Sequence, residues 1–162
     1  MEKTDIEKTE MITTVLERIR VYYLDMLPFN KVLGIDIDLL DYETGDAVTS
    51  FSMKKDLIGN PIAGILHGGV TASVIDLTGG LSALLSCAKY HQNKPIEIIE
   101  KKLVSSATID MRVDYLRPGK GLSFKCLSRV IRAGSRIVVA KIDLYNDIDT
   151  RIATGTATYL IG

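Results

Sequence analysis

The sequence has few of the residues from which metal sites and disulfide frameworks are built. It contains two cysteines, Cys87 and Cys126, without a closely spaced partner, and only two histidines. A tetrahedral site of cysteine and histidine ligands for zinc cannot be assembled from this set at the usual spacings. We therefore expect no metal and no cofactor, and the sparse cysteines favour a reduced, cytoplasmic setting.

Net charge is absent as well. Twenty Lys and Arg residues balance twenty Asp and Glu residues, which gives a formal net charge of zero. Dedicated nucleic-acid binders are normally basic or carry a basic stripe, and electrostatic attraction to a membrane surface needs a similar excess of charge. The composition therefore argues against nucleic acid and against a membrane surface as partners.

Long apolar runs and repeats are also missing. The first 28 residues contain no uninterrupted apolar segment of the kind found in a signal peptide. No run approaches the roughly 20 apolar residues of a transmembrane helix, so we expect no membrane insertion. The 162 residues contain no internal repeat or low-complexity tract, and this length is typical of a single domain.

Apolar residues at intervals of three and four predict an amphipathic helix over residues 8–27, ending before Pro28. We separate this N-terminal segment, residues 1–27, from a main domain at 28–162. Alternating residues then predict a hairpin of strands 35–40 and 47–53, followed by a polar loop at 54–61. An apolar segment with small residues predicts a long helix from His67 to about Cys87.

After the long helix, residues 89–106 are charged and irregular, with spacing for one or two helical turns after Pro95. Four strands are predicted at 108–115, 122–131, 137–144 and 152–160, the last three as an antiparallel meander. This order predicts an α+β fold in which an antiparallel sheet curls around the single long helix. The remaining face of that helix would need a second chain to cover it.

Asp76 is the first candidate for chemistry, because a carboxylate in an apolar helix is costly to bury without a partner. A structural aspartate that accepts hydrogen bonds is the alternative. Gly79 and Gly80 lie on the same helix face, where each lowers helix propensity by about 1 kcal/mol relative to Ala. They allow either close helix packing or space for a substrate beside Asp76.

The run His67-Gly68-Gly69 is the second candidate, since it stands where a loop becomes a helix. The unpaired N–H groups and the helix dipole favour negative charge there, and glycines let an oxygen approach the amides. Such a site could stabilise the oxyanion of an acyl-transfer intermediate. His67 could equally be an ordinary helix-capping residue.

The spacing of the two candidates points to two chains. Asp76 follows His67 by nine residues, which in a helix is about 13.5 Å of axial rise and a turn to the opposite face. One small substrate cannot easily reach both in one chain. Two antiparallel copies of the helix about a two-fold axis would place His67 of one opposite Asp76 of the other. The sequence therefore predicts a homodimer with shared active sites, and it leaves open whether two dimers pair into a tetramer.

Two stretches resemble a known family. Residues 60–69 read Asn60-Pro61-Ile62-Ala63-Gly64-Ile65-Leu66-His67-Gly68-Gly69, and residues 108–119 read TIDMRVDYLRPG. With Asp76 nine residues after His67, this pattern resembles the hotdog-fold acyl-CoA thioesterases of the PaaI type over about residues 28–160. Within that family it is most similar to the bacterial YigI-like branch, through Pro28-Phe29-Asn30, residues 65–69 and the closing Ala157-Thr158-Tyr159. The branch is associated with medium- and long-chain acyl-CoA substrates.

The resemblance implies a role for each matching residue. Asp76 would activate water or attack the thioester itself, while the Gly68 N–H polarises the thioester carbonyl. Asn60 would assist at the carbonyl or orient His67, and Thr108 stands where the family carries a hydroxyl that holds the water. Some members have Ser there, and the alternation of residues 107–116 puts Thr108 on the polar strand face.

Further substrate contacts are expected at Gly69, Gly79 and Gly80. If the substrate is acyl-CoA, cations at strand ends, Arg117 among them, either meet the phosphates of CoA or are solvated at the surface. The connection at residues 89–106 is longer than in short family members, and it either shapes an acyl tunnel or lies on the surface.

Two other functions compete with acyl-CoA hydrolysis. A non-catalytic acyl-CoA-binding hotdog module is one, although the acid at position 76 speaks against it. A hotdog hydratase or dehydratase is the other, but the His-centred loop expected of those enzymes is not found. Release of free thiol from acyl-CoA would separate the first function from both.

Overall fold

The computed structural model describes residues 4–162 and has one long helix at its centre. The helices are α1 (Asp5–Val21), α2 (Pro28–Leu33), α3 (Gly68–Tyr90) and α4 (Ile96–Val104), with a π-helical turn at Tyr22–Met26 and a 3₁₀ turn at Lys55–Leu57. The strands are β1 (Asp36–Leu40), β2 (Ala47–Ser52), β3 (Ile58–Asn60), β4 (Ile65–Leu66), β5 (Ala107–Tyr115), β6 (Ser123–Ala133), β7 (Ile137–Asn146) and β8 (Arg151–Leu160).

The main sheet has six strands in the order β1-β2-β6-β7-β8-β5, and each neighbouring pair is antiparallel. Strands β6, β7 and β8 form the predicted meander. Strand β5 occupies one edge, where β8 is its only strand partner among residues 4–162. The predicted α+β hotdog architecture, an antiparallel sheet around one long helix with an extra N-terminal helix, is confirmed.

Apolar packing and buried hydroxyl pairs hold α3 against the sheet. Val74, Ile75 and Leu81 are fully buried on α3. The Thr78 hydroxyl lies 2.7 Å from that of Thr49 on β2, and Ser82 donates to Ser128 on β6 over the same distance. Because each of these buried hydroxyls has a partner, the hydrogen bonds offset the cost of desolvation and help to fix the position of α3.

The N-terminal helix begins earlier than predicted and changes its winding. Thr4 caps α1 in a capping box, in which its side chain accepts from the Glu7 N–H. After Val21 the chain continues as the π-helical turn, and Pro28 then opens α2, which the sequence analysis missed. Residues 1–3 of the predicted N-terminal segment lie outside the described residues, and its division from the main domain at 27/28 stays a prediction.

The face of α3 that the sheet leaves free is covered unevenly. From Leu81 to Ala88 every residue of α3 is buried, and α1 and α4 of the same chain also contact this helix. Towards its beginning, Ser73, Asp76 and Gly80 remain partly accessible, and Gly68 is exposed. The part of this face that a second chain could cover is therefore the first half of the helix, and that cover stays a prediction.

By length and composition alone, α3 meets the criterion for a membrane-crossing helix. The structure buries 67% of its most apolar window. Packing against the sheet, α1 and α4 therefore accounts for its apolar character.

Candidate functional site

Asp76 and Thr108 form the centre of the candidate site. The Thr108 hydroxyl donates a hydrogen bond of 2.8 Å to Asp76 Oδ1. Asp76 stands in the third turn of α3, and Thr108 is the second residue of the edge strand β5. A threonine hydroxyl that donates its proton keeps lone pairs with which it can accept from a water molecule. The pair therefore presents a carboxylate and a hydroxyl to the same small volume.

A β-bulge directs Thr108 towards Asp76. Thr108 pairs with Tyr159 on β8, but Asp110 already pairs with Thr158, so Ile109 is the extra residue. Directly paired residues point to the same face of a sheet, and Tyr159 is buried against α3. The prediction that Thr108 lies on the polar strand face is wrong, because strict alternation cannot anticipate the bulge.

A cavity of about 360 Å³ surrounds this pair. Its polar end contains Asp76, Thr108 and the hydroxyl-bearing Ser73 and Ser106, while its walls are mostly apolar. The walls come from the π-helical turn, α2, α3 and the segment from α4 to β5. Among the described residues that line it, Asp76 is the only charged one. The arrangement suits an uncharged reacting group with an apolar substituent.

The two glycines that follow Asp76 have different surroundings. A Cβ at Gly79 would collide with the Tyr159 hydroxyl and lie 3.1 Å from Ile142 Cδ1, so packing occupies that space. Gly80 instead lines the cavity, and a Cβ there would lie 2.6 Å from the Tyr23 hydroxyl. Of the two positions predicted to contact substrate, only Gly80 borders open space.

At the start of α3, His67 caps the helix. Its Nδ1 accepts a hydrogen bond of 2.9 Å from the Gly69 N–H, so a neutral imidazole carries its proton on Nε2. The Gly68 N–H opens the helix and has no acceptor in a preceding turn. Both residues are exposed. The helix start therefore offers two donors, the Gly68 N–H and His67 Nε2–H, while the Gly69 N–H is already engaged.

A second cavity, of about 390 Å³, lies beside this helix start. It is lined by Gly68, Tyr115 and Arg117, among others. The Tyr115 hydroxyl donates to the Gly68 carbonyl over 2.9 Å, and Arg117 Nη1 donates to the Arg151 carbonyl over 3.0 Å. Arg117 is thus held at the end of β5, next to the exposed amide of Gly68.

Asn60 lies close to the helix start in the chain but has a local task. Its Oδ1 accepts from the N–H groups of Ile62 and Ala63, each at 3.0 Å, and so closes the turn before β4. A Cβ at the neighbouring Gly59 would collide with His67, which shows how closely β3 packs on the helix start. The predicted role of Asn60 at the carbonyl or towards His67 stays a prediction.

The structure therefore brings the predicted residues together in two groups. Asp76, Thr108 and Gly80 share the first cavity, whereas Gly68 and Arg117 share the second. Asp76 follows His67 by nine positions, which corresponds to about 13.5 Å along α3. Neither cavity of a single chain contains both a candidate base and a candidate oxyanion site.

Two tyrosines of the first cavity were missed in the sequence analysis. Tyr159 donates to the Asp76 carbonyl over 2.8 Å, and Tyr23 reaches the cavity from the π-helical turn. Burial, and secondly the nearby Asp76 carboxylate, raises the pKa of both phenols well above its ordinary value. Both hydroxyls therefore remain protonated donors. The mid-helix change of winding that positions Tyr23 has no signature in the hydrophobic pattern.

Metal-ligating side chains do not cluster in residues 4–162: no group of three or more His, Cys, Asp or Glu residues could hold an ion. Cys87 and Cys126 are free and buried. Burial raises the pKa of these thiols to about 11 and about 12, respectively. Neither is a candidate nucleophile at neutral pH, since the thiolate is the reactive form.

The sequence matches both a family model and an individual relative. A sequence model for the family described as "Thioesterase superfamily" matches residues 63–153. The medium/long-chain acyl-CoA thioesterase YigI of Salmonella typhimurium is 39% identical over 136 residues, which cover 84% of this chain and 86% of that protein. The matched residues 63–153 include His67, Gly68, Asp76 and Thr108.

Solved structures extend the comparison to the whole fold. A crystal structure from Shewanella oneidensis, described as related to the thioesterase superfamily, has a TM-score of 0.88 and 41% identity, covering 99% of this chain and 100% of that one. The Escherichia coli PaaI protein of the phenylacetic acid degradation operon has a TM-score of 0.70 and 19% identity, covering 91% and 93%. At that identity the second likeness concerns the fold alone.

Proposed function

The chain belongs to the thioesterase superfamily, as its resemblance to hotdog thioesterases predicted, and on this premise we propose that it hydrolyses acyl-CoA to free fatty acid and CoA. The substrate class follows the YigI relative, whose name specifies medium and long acyl chains. The reaction needs water and no cofactor. A cytoplasmic location is part of the proposal, since acyl-CoA is an intracellular metabolite class and both cysteines are free.

One observation carries the chemistry: the Thr108 hydroxyl donates to Asp76 Oδ1 at the polar end of a largely apolar cavity. The hydrogen bond orients the carboxylate so that it can accept a proton from water. The same water can donate its other hydrogen to Thr108 Oγ1, which holds it beside Asp76. A base, a positioned water and an apolar acyl site are what hydrolysis of a fatty acyl thioester requires.

In the proposed reaction, Asp76 takes a proton from this water as the oxygen attacks the thioester carbonyl carbon. The carbonyl oxygen gains negative charge, which the Gly68 N–H and His67 Nε2–H stabilise. The tetrahedral intermediate then collapses, and the C–S bond breaks. The CoA sulfur leaves with the proton held by Asp76, so that free acid and thiol are released and the carboxylate is restored.

A shared site follows from the way β5 lies across α3. At the start of β5, Thr108 contacts Asp76, and at its end Tyr115 contacts Gly68. If two copies of β5 pair antiparallel about a two-fold axis midway along the strand, Thr108 lies opposite Tyr115 of the partner subunit. The base of one chain then faces the helix start of the other.

The edge of β5 supports this pairing. It is nine residues long, its outer hydrogen-bonding groups have no strand partner within residues 4–162, and it exposes Ile109 and Tyr115. A long exposed edge of this kind is a template for another strand. We therefore propose a homodimer with two identical sites. Arg117, beside Gly68, would then meet the phosphates of CoA outside the acyl site, with Gly69 and Asn60 near the thioester carbonyl.

A thiol-release assay tests the function. Purified protein is mixed with acyl-CoA of increasing chain length, and free CoA is followed with a thiol reagent. We expect turnover with the wild type and nearly none with Asp76→Asn, which keeps the shape of the side chain but removes the base. Binding of acyl-CoA without thiol release would favour the non-catalytic module instead. Near-normal turnover of Asp76→Asn would remove Asp76 from the mechanism.

A further inference from the structure

The cavity that begins at Asp76 continues along one face of α3. Its lining residues on this helix are Ser73, Asp76, Leu77, Gly80, Ala83 and Leu84. Intervals of three and four place them on one side of the helix. Leu84 follows Asp76 by eight residues, which is about 12 Å of rise. The cavity is therefore elongated and leads away from the proposed reacting groups.

Polarity changes along this path. The Thr108 hydroxyl contacts Asp76, and Ser73 lies about one turn before Asp76 on α3, whereas farther along the helix contributes Ala83 and Leu84. Leu27 and Phe29 from the N-terminal side and Leu103 from α4 complete the apolar walls. A ligand with a polar reacting end and an apolar tail matches this arrangement.

Several of these walls lie outside the segment that the family model matches. The match begins at residue 63, but Tyr22, Tyr23, Leu27 and Phe29 precede it. Asn30 secures this wall, because it is buried and its Nδ2 donates to the Tyr23 carbonyl over 3.0 Å. This bond ties α2 to the π-helical turn and so holds the two parts of the N-terminal wall together.

We infer that this cavity binds the acyl chain of the substrate, with the N-terminal segment as one wall, and that Gly80 and Leu103 limit the length of chain it accepts. The inference rests on the proposed function and adds its specificity-determining residues. Gly80 leaves the passage beside Tyr23 open, since any larger residue would meet the Tyr23 hydroxyl. Leu103 closes the wall contributed by α4.

The extent of the cavity along α3 sets the length of chain that it accepts. An extended chain advances roughly 1.2 Å per bond, so the 12 Å between Asp76 and Leu84 accommodate about ten carbons. Medium-length chains should fit fully, whereas longer chains must extend beyond the cavity.

The test compares two substitutions on the same helix. Leu103→Ala enlarges the cavity, whereas Ile99→Ala truncates a buried residue of α4 that does not line it. The kcat/KM for thiol release is measured from butanoyl- to octadecanoyl-CoA. For Leu103→Ala we expect the ratio of hexadecanoyl- to decanoyl-CoA to rise about tenfold, the lower end of the effect that one methylene has in an apolar site. Ile99→Ala should keep the wild-type ratio even if its melting temperature falls.

A substitution of Gly80, at the passage beside Tyr23, should shift the preference towards shorter acyl chains. Gly80→Val should lower the ratio of decanoyl- to butanoyl-CoA at least tenfold, because its side chain projects between Asp76 and the apolar end. Unchanged chain-length profiles in both Leu103→Ala and Gly80→Val would overturn the inference. So would an equal shift in Ile99→Ala, which would indicate a general loosening of α4.

A binding measurement separates this inference from the proposed function. Dansyl-labelled undecanoic acid is displaced by free fatty acids of increasing length from the wild type and from the same three variants. One outcome is that no acyl-CoA is hydrolysed but Leu103→Ala alone prefers longer fatty acids than the wild type does. This outcome would support acyl binding in the cavity and refute the proposed hydrolase function. The other outcome is that thiol is released but neither the chain-length profile of kcat/KM nor fatty-acid binding depends on Leu103 or Gly80. This outcome would support the proposed function and refute acyl binding in the cavity.

Discussion

Removing the hydroxyl of Thr108 tests the geometry of the proposed base. Thr108→Val keeps the branched shape but deletes the 2.8 Å hydrogen bond to Asp76 Oδ1 and the proposed contact to water. A hydrogen bond to a charged group contributes about 1.5–3 kcal/mol, and 1.4 kcal/mol is a factor of ten in rate. Thr108 is exposed in the single chain, so the effect should lie near the lower end. We expect kcat to fall about tenfold, with KM little changed.

The sheet provides a matched control for this substitution. Thr154 donates a hydrogen bond of 2.6 Å to Asp143 Oδ1, the same type of pair, and does not line the Asp76 cavity. Thr154→Val should therefore leave kcat unchanged, and Thr108→Ser should retain most activity because the hydroxyl remains. Steady-state thiol release measures all three. A wild-type kcat in Thr108→Val, or an equal loss in Thr154→Val, would refute the assigned role.

Three further predictions concern the helix start, the glycine packing and the thiols. Gly68→Ala should fold normally, because a Cβ there lies 3.5 Å from Tyr115 Cε1. It should lower kcat, because the added methyl group crowds the thioester carbonyl. An unaltered kcat at an unaltered melting temperature would argue against Gly68 as an oxyanion donor. Gly79→Ala should destabilise the fold by about 1–3 kcal/mol in urea unfolding, since its Cβ meets the Tyr159 hydroxyl, and Tyr159→Phe should recover part of that loss. Cys87 and Cys126, with thiol pKa values of about 11 and about 12, should react with an alkylating reagent at pH 8 only after unfolding; rapid labelling of the native protein would contradict their burial.

Periodicity predicted the elements that bury one regular face. The long helix from His67 and the meander of β6 to β8 were found because small and apolar residues recur without interruption or alternate with polar ones. Asp76 could be found for the related reason that a carboxylate is out of place in such a helix. These patterns depend on residues that are close together in the sequence, and the structure contains the elements that they predict.

What the sequence could not give depends on contacts between distant segments. The bulge at Ile109 reverses the face of Thr108, and it exists only through the register of β5 on β8. Gly79 and Gly80 are identical in sequence, but Tyr159 fills the space beside the first and the cavity borders the second. The π-helical turn that brings Tyr23 to the cavity likewise departs from regular winding without a change in the apolar pattern.

The central claim is that the base of one subunit works with the helix start of its partner. Inactive His67→Ala and Asp76→Asn proteins, carrying different tags to verify exchange, are mixed in equal amounts and assayed for thiol release. Random exchange makes about half of the dimers hybrids, each with one intact site and one doubly altered site. We predict recovery to about a quarter of the wild-type activity. A fully exchanged mixture that stays as inactive as its two parents would contradict the shared site.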